Sequence, residues 1–212
     1  MDQDQQGLEA LKDIRNMMER SSRFISLSGW SGIAAGIWAL AGAAAGYYRI
    51  RTYYRDEYGQ GGDHQALLRD LVLIATVVLL AALVSAVLFT LRRSRKQGVP
   101  VWGVASRRLI WNTALPLGVG GLFVIRMMQL VQYELVAPGC LIFYGLALVN
   151  GSKYTLGEIR YLGYSMLALG IFNLWSPGYG LFFWAAGFGV CHIIYGVAMW
   201  MKYERSEEAG QP

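Results

Sequence analysis

The stretch CHIIYGVA at residues 191–198 lies in the last apolar segment of the chain. The stretch CLIFYGLA at residues 140–147 repeats it, with cysteine, isoleucine, tyrosine, glycine and alanine at the same five of eight positions. Both cysteines of the chain fall within these two stretches. The repetition predicts that one kind of apolar helix is used twice.

The similarity extends upstream of both stretches. Arg108, followed by LGV at 117–119, matches Arg160, followed by LGI at 169–171. The offset between these two sites is 52 residues, whereas the offset between the two stretches is 51. The predicted unit is therefore about fifty residues long and consists of a basic residue, an apolar helix, a tight turn and a second apolar helix. Parallel repeats of this kind occur in transporters, although they do not prove transport. Chance similarity between two membrane helices rich in glycine and tyrosine is the alternative interpretation.

The composition indicates a membrane protein. Of 212 residues, 55% are hydrophobic and only 16% are charged, whereas soluble domains carry about 25% charged residues. The 26 glycines and 7 tryptophans are typical of membrane helices, in which glycine permits close backbone approach and tryptophan lies at the interface. The two cysteines have no spacing that indicates a metal site or a disulfide framework.

Six apolar segments predict an all-α polytopic membrane bundle over residues 24–201, in which the third and fourth, and the fifth and sixth, form the repeated hairpins. The predicted spans are 24–47, 67–91, 109–130, 135–150, 159–175 and 179–201. Residues 1–23 are predicted to form a cytoplasmic amphipathic helix that lies on the membrane surface or against the bundle, or alternatively docks to a partner. Residues 202–212 are predicted to be a charged, frayed cytoplasmic tail.

Basic residues are distributed unequally between the two sides of this predicted bundle. The side that carries both termini has fourteen lysines and arginines, and the opposite side has five. This bias predicts a multi-pass membrane protein with both termini in the cytoplasm. It also accounts for the net charge of +5, so nucleic acid is not an expected partner. Four bases that follow the second span are candidate contacts for anionic lipid head groups: Arg92, Arg93, Arg95 and Lys96.

Small residues dominate the first predicted span. Ser28, Gly32 and Gly36 recur at every fourth position, and Gly42 and Gly46 continue the pattern. Such spacing permits close contact between helices. The ladder therefore predicts packing inside the bundle or, alternatively, a face for a homo-oligomer or a membrane-protein partner.

Two ionisable side chains within the predicted spans are candidate functional groups, because charge in hydrocarbon is costly. Arg126 is expected to reach toward the outer surface, to pair with Glu134, or to bind a ligand. His192 takes the position of Leu141 in the other repeat, and it is either a neutral, hydrogen-bonded core residue or a proton-sensing or ligand-binding group. The candidate ligand site comprises Arg126, Asn173, Tyr144, His192 and Tyr195.

Motifs of known enzyme classes do not occur in the sequence. It contains no HExxH, no phosphate-binding Gly-Lys-Ser/Thr loop, no GxSxG and no CxxC. No predicted span carries a pair of carboxylates. The sequence therefore predicts a non-enzymatic protein that has neither a cofactor nor a metal.

Three runs carry a resemblance to a known group of proteins: NMMERSSRFISLSG at 16–29, IFYGLALVNGSKYTLGEIRYLG at 142–163, and FWAAGFGVCHIIYG at 183–196. They resemble an uncharacterised bacterial family of small six-span membrane proteins, and the likeness covers most of the chain. Such proteins resemble ones encoded beside small winged-helix regulators, which implies a sensing or envelope-stress role. The hairpins are also similar, more weakly, to HdeD-type acid-resistance membrane proteins, from which no residue role follows.

These observations lead to two expected functions. The first is a non-enzymatic membrane component that acts by interaction or by sensing envelope stress. The second is a small solute or ion transporter or channel that uses a polar site near Arg126 and His192. A polar cavity that reaches the middle of the membrane would favour the second, and a closely packed interior would favour the first.

Overall fold

The computed structural model of the protein describes residues 28–60, 63–98 and 102–205. These ranges are almost entirely helical, and they contain no strand. The predicted amphipathic helix at 1–23 and the tail beyond residue 205 lie outside the described residues. The prediction of an all-α protein is confirmed for the described part of the chain.

Six helices follow one another along the described ranges. They are α1 at Gly29–Gln60, α2 at His64–Gln97, α3 at Val104–Gln129, α4 at Val136–Gly151, α5 at Ile159–Leu174 and α6 at Gly180–Tyr203. Two short 3-10 turns, Tyr133–Leu135 and Ser152–Tyr154, flank α4. Helix α2 begins at an Asp63 cap and ends at Gly98, whose positive φ of 65° lets its amide bond the last carbonyls of the helix.

Four helical segments are long and apolar enough to cross a membrane: His64–Lys96, Val104–Gln129, Tyr133–Tyr154 and Gly180–Tyr203. They overlap four of the six predicted spans and support an integral membrane protein. Helix α1 is long enough but is not apolar enough to be counted with them, because glycine, alanine, serine and tryptophan give its first half only modest hydropathy. Helix α5 has 16 residues and is about 24 Å long, which is less than the hydrocarbon thickness of about 30 Å. Crossing by α1 and by α5 remains a prediction.

The helices pack as two connected layers. Helix α1 lies between α2 and α6, while α4 lies between α3 and α5. The α1–α6 interface is the most extensive, followed by the α4–α5 interface, near which the fully buried side chains of Leu141 and Met166 lie. By contrast, α5 contacts α6 mainly through residues of the segment Ala185–Cys191. The two predicted hairpins therefore pack differently, and their origin by duplication remains a prediction.

The glycine of each repeated stretch lies at a close helix crossing. A Cβ atom on Gly145 of α4 would lie 2.9 Å from the carbonyl oxygen of Gly163 in α5, and the reverse distance is also 2.9 Å. A Cβ atom on Gly196 of α6 would lie 2.6 Å from the carbonyl oxygen of Gly29 in α1. No larger side chain fits at these approaches, so the two equivalent glycines allow backbone contact with two different helices.

The glycine ladder of α1 contacts the protein's own helices. Gly32 and Gly36 face backbone atoms of α6, Gly42 faces Val78 of α2, and Gly46 lies between side chains of α2 and α6. This is the arrangement expected for packing inside the bundle. The alternative of a homo-oligomer or partner face through Gly32, Gly36, Gly42 and Gly46 stays a prediction.

Candidate functional site

Helix α6 changes its winding in the region of His192. It is π-helical over Ala185–Cys191 and returns to α-helix at His192–Tyr203. The Nδ1 atom of His192 lies 3.1 Å from the carbonyl oxygen of Gly187. Because a carbonyl can only accept, Nδ1 carries the proton of this hydrogen bond. Single-turn π segments often occur at functional sites, and here the segment presents a carbonyl to a buried histidine.

Helix α4 contacts the other side of the same imidazole. The hydroxyl of Tyr144 lies 2.9 Å from Nε2 of His192, and in a neutral imidazole with a protonated Nδ1 this hydroxyl is the donor. The Phe188 ring stacks on the imidazole with an interplanar angle of 16°. We call Tyr144, Phe188 and His192 the histidine cluster. Since His192 is only 6% exposed and both ring nitrogens are bonded, the geometry is that of a hydrogen-bonded core histidine.

The remaining residues of the predicted ligand site do not join this cluster. Arg126 is exposed in the last turn of α3, and its Nη1 lies 3.3 Å from Oε1 of Gln129, so its bonded partner is Gln129 rather than Glu134. Asn173 is buried and donates to the carbonyl of Ser176 at 3.3 Å. A single ligand site containing both Arg126 and His192 stays a prediction, and in this structure the two side chains have separate hydrogen-bond partners.

The basic residues that follow the second span separate into two kinds. Arg92, Arg95 and Lys96 are exposed at the end of α2, where they remain candidate head-group contacts. Arg93 departs from the prediction because its side chain is only 8% exposed and forms an ion pair with Glu204, with 2.6 Å between Nη1 and Oε1. Residues on one helix turn point in different directions, so a run of bases cannot all face the lipid surface.

The carboxylate of Glu204 holds three helix ends together. In addition to Arg93 at the end of α2, it accepts the backbone N–H of Gly29 at 2.5 Å and the hydroxyl of Ser28 at 3.2 Å. It therefore neutralises a buried guanidinium and satisfies an unpaired amide at the positive end of the α1 dipole. We call Ser28, Gly29, Arg93 and Glu204 the terminal latch. Sequence reasoning missed it, since Glu204 was placed in a frayed tail.

A second polar contact joins the start of α5 to the end of α6. Oε1 of Glu158 accepts hydrogen bonds from the ammonium of Lys202 and from the hydroxyl of Tyr203, the latter at 2.7 Å. Partial burial acts to raise the pKa of Glu158, but the hydrogen bonds from Lys202 and Tyr203 outweigh it and lower that pKa to about 2. Glu158 is therefore a carboxylate throughout the physiological pH range.

A groove runs between α5 and α6 next to this contact. Its volume is ≈ 400 Å³ and its lining is mostly apolar. We call it the α5–α6 groove, and define it by Leu162, Ser165, Cys191, Ile194, Tyr195, Ala198 and Met199, with Glu158, Tyr161 and Lys202 at one end. The hydroxyl of Tyr195 is buried and has no hydrogen-bond partner among the residues described.

Metal ligands do not converge in the described ranges: no three His, Cys, Asp or Glu side chains lie close enough there to hold an ion. Comparison of the chain with protein-family models, with curated proteins and with solved structures found no match. The inferences about function therefore depend on the histidine cluster, the terminal latch and the α5–α6 groove.

Proposed function

We propose that this chain is a non-enzymatic protein of the bacterial inner membrane that acts by sensing or interaction, with a role in the response to envelope stress. The observation that carries the proposal is the terminal latch, in which Glu204 bonds both Gly29 and Arg93. This one carboxylate links the start of α1 to the ends of α2 and α6. A change at one of these helix ends can therefore reach the other two.

The latch also supports a six-span topology with both ends of the chain in the cytoplasm. It brings the start of α1, the end of α2 and the end of α6 to one side. The ion pair between Arg49 and Asp70, at 2.6 Å, joins α1 to α2 farther from that side. Helices α1 and α2 are therefore antiparallel neighbours. If α2 crosses the membrane, α1 crosses beside it, and the cationic end of α2 faces the cytoplasm.

The energetics of a buried ion pair make the latch suited to switching. Removing one partner of such a pair leaves an uncompensated charge and costs about 3–5 kcal/mol. The latch is therefore stable when all its contacts are made and unfavourable when only some of them are. A partner or a membrane change that moves Glu204 by a few ångströms would release the amide of Gly29 in the same step.

Two features of the interior support interaction rather than transport. Backbone contacts at Gly145–Gly163 and Gly29–Gly196 bring α4 against α5 and α1 against α6 at these crossings. The histidine cluster has no unbonded ring nitrogen to offer to a passing ion. A transport site that combines Arg126 with His192 lacks support, because the two side chains have separate partners.

Partner capture in cells tests the proposal. The full chain, its Glu204→Gln variant and a Glu134→Gln control would be cross-linked in living cells and purified. Glu134 is the matched control because it is exposed and lies outside the terminal latch. We expect a defined protein partner to be recovered with wild type and with the control, and to be largely lost with Glu204→Gln. Equal recovery with all three proteins would contradict the proposal.

A second variant separates loss of signalling from loss of folding. Replacing Arg93 and Glu204 together by methionine removes both charges and keeps an apolar contact, which is often tolerated at buried ion pairs. We expect this double variant to remain monodisperse in detergent and still to lose the partner. Flux of ions or solutes across liposomes that contain only the wild-type protein would instead establish the transporter.

The topology is tested by accessibility of single cysteines. After Cys140 and Cys191 are replaced by alanine, cysteines would be introduced at Gln132 and at Ser152, which flank α4. In spheroplasts, an impermeant maleimide is expected to label position 132 and not position 152. Labelling at both positions, or only at 152, would contradict the proposed orientation.

A further inference from the structure

We propose that the α5–α6 groove binds one acyl chain of an anionic phospholipid, whose head group lies at Arg160 and Lys202. The inference deepens the proposed function, on which it rests, because it makes this lipid the molecule that the protein senses.

The position of the groove determines the source of the occupant. One wall is formed by α6, which is long and apolar enough to cross a membrane. Ile194 and Tyr161 line the groove and are 63% and 57% exposed. In a bilayer these side chains face lipid, so the occupant that reaches the groove most readily is an acyl chain. The groove has a volume of ≈ 400 Å³, which lies within the range of about 300–1,000 Å³ found for small-molecule sites.

The charge at one end of the groove determines the class of lipid. Acyl chains gain little from moving between bilayer and groove, because both are apolar. Selectivity must therefore come from the head group. Lys202 bonds the carboxylate of Glu158, and Arg160 follows Glu158 by two residues and bonds Tyr161 at the same end. Among the described residues Arg160 has no carboxylate partner, so this end of the groove has an excess of one positive charge.

The geometry of Arg160 suits a phosphate. Its guanidinium donates to the hydroxyl of Tyr161 at 3.1 Å and lies 5.0 Å from the centre of the same ring. These contacts hold a planar donor group beside Tyr161, whose side chain lines the groove, and guanidinium donors bind phosphate oxygens in pairs. The exposed ammonium of Lys202 supplies further donors from the opposite wall.

Tyr195 adds a donor at greater depth. It lies seven residues before Lys202, or about 10 Å farther along α6. The ring of Tyr195 lines the groove, while its buried hydroxyl has no partner within the described ranges. A phospholipid has ester carbonyls below its phosphate, and a small rotation of the ring would let the hydroxyl donate to one of them. Binding would thus satisfy a donor that is costly to leave unpaired in a membrane.

The site adjoins the terminal latch. Lys202 is followed directly by Tyr203, which also bonds Glu158, and then by Glu204 of the latch. A phosphate that attracts Lys202 competes with Glu158 and shifts the last turn of α6. Because Glu204 belongs to that turn, lipid occupancy and latch closure are coupled.

Lipid retention measured by native mass spectrometry tests the inference. The full chain would be extracted from phosphatidylcholine nanodiscs that contain a rising fraction of phosphatidylglycerol. We expect one phosphatidylglycerol to be retained per chain, in preference to phosphatidylcholine. Ser165→Trp, which fills the groove, should reduce retention at least about tenfold, equivalent to about 1.4 kcal/mol. Ala168→Trp, on an exposed face of the same helix outside the groove, should not.

Head-group selectivity is tested by a milder substitution. Arg160→Gln, at an exposed position, should remove the preference for phosphatidylglycerol, whereas Arg107→Gln at another exposed arginine should keep it. Retention that is equal for the two lipids in wild type, or unchanged in both Ser165→Trp and Arg160→Gln, would overturn the inference. If lipid retention fails these tests while Glu204→Gln still loses its partner, the proposed function stands without its lipid. If the lipid binds as expected and no partner depends on Glu204, the lipid site stands and the proposed function fails.

Discussion

The hydroxyl of Tyr144 and the Nε2 atom of His192 lie 2.9 Å apart, although 48 residues separate them in the chain. Tyr144 belongs to the first of the two similar stretches, and His192 belongs to the second. The hydrogen bond therefore joins the two helices that share the pattern, at the one position where an ionisable group replaces leucine. With Nδ1 bonded to Gly187, the imidazole has a partner on both sides.

This pair allows a direct test of the histidine as a structural group. Tyr144→Phe leaves Nε2 of His192 buried without a donor, which should lower the free energy of unfolding by about 1–3 kcal/mol. His192→Leu with Tyr144→Phe removes both polar groups and should restore part of the loss. Unfolding in mixed micelles would measure both. Tyr164→Phe, at an exposed tyrosine, is the control, and an equal effect of the two Phe variants would contradict the structural role.

The terminal latch makes a larger contribution to stability. The side chains of Arg93 and Glu204 are 8% and 11% exposed, so Glu204→Gln removes one charge from a buried ion pair. We expect the free energy of unfolding to fall by about 3–5 kcal/mol, with a corresponding fall in Tm. Glu134→Gln should leave Tm unchanged. The double variant Arg93→Met with Glu204→Met should recover most of the Tm that Glu204→Gln loses. A Glu204→Gln protein with the Tm of wild type would show that the ion pair is not formed.

Long apolar runs predicted most of the fold, because the hydropathy of a helix is a local property. The four candidate spans agree with predicted segments. The glycine ladder of α1 packs against the protein's own helices, which is one of its two predicted roles. Tyr144 and His192 were both singled out, but not as partners. Hydropathy could not show their contact, since it depends on how α4 and α6 cross.

The terminal latch could not be predicted from local sequence patterns. Glu204 follows the last apolar segment in a charged run, and such runs are usually solvated. Its partners are 111 and 175 residues away in sequence, so only the packed bundle brings them together. The π-helical segment was missed for a related reason, because its run AAGFGV contains small residues that fit any helical winding.

The close crossing at Gly196 should tolerate no side chain. Gly196→Val places methyl groups against the backbone of Gly29, where even a Cβ atom would approach the carbonyl oxygen to 2.6 Å. Overpacking of this kind destabilises by about 1–3 kcal/mol. We expect a lower monodisperse fraction in size-exclusion chromatography and a lower Tm. Gly121→Val is the control, since nothing lies within 4 Å of a Cβ atom there, and equal losses in both variants would refute a close crossing.

The Glu158 contact should weaken only in acid. Its pKa is lowered from 4.5 to about 2 in the folded protein, so the folded form binds a proton less readily than the unfolded form does. The contribution of Glu158 to stability is therefore complete above pH 4.5 and is lost as the pH falls toward 2. Because Glu158 and Lys202 are partly exposed, solvent screening keeps that contribution small.

The difference in Tm between wild type and Glu158→Gln should be constant above pH 4.5 and should shrink below it, whereas the difference for Glu134→Gln should show no such trend. A Glu158→Gln difference that grows on acidification would mean that the carboxylate is not held by Lys202 and Tyr203.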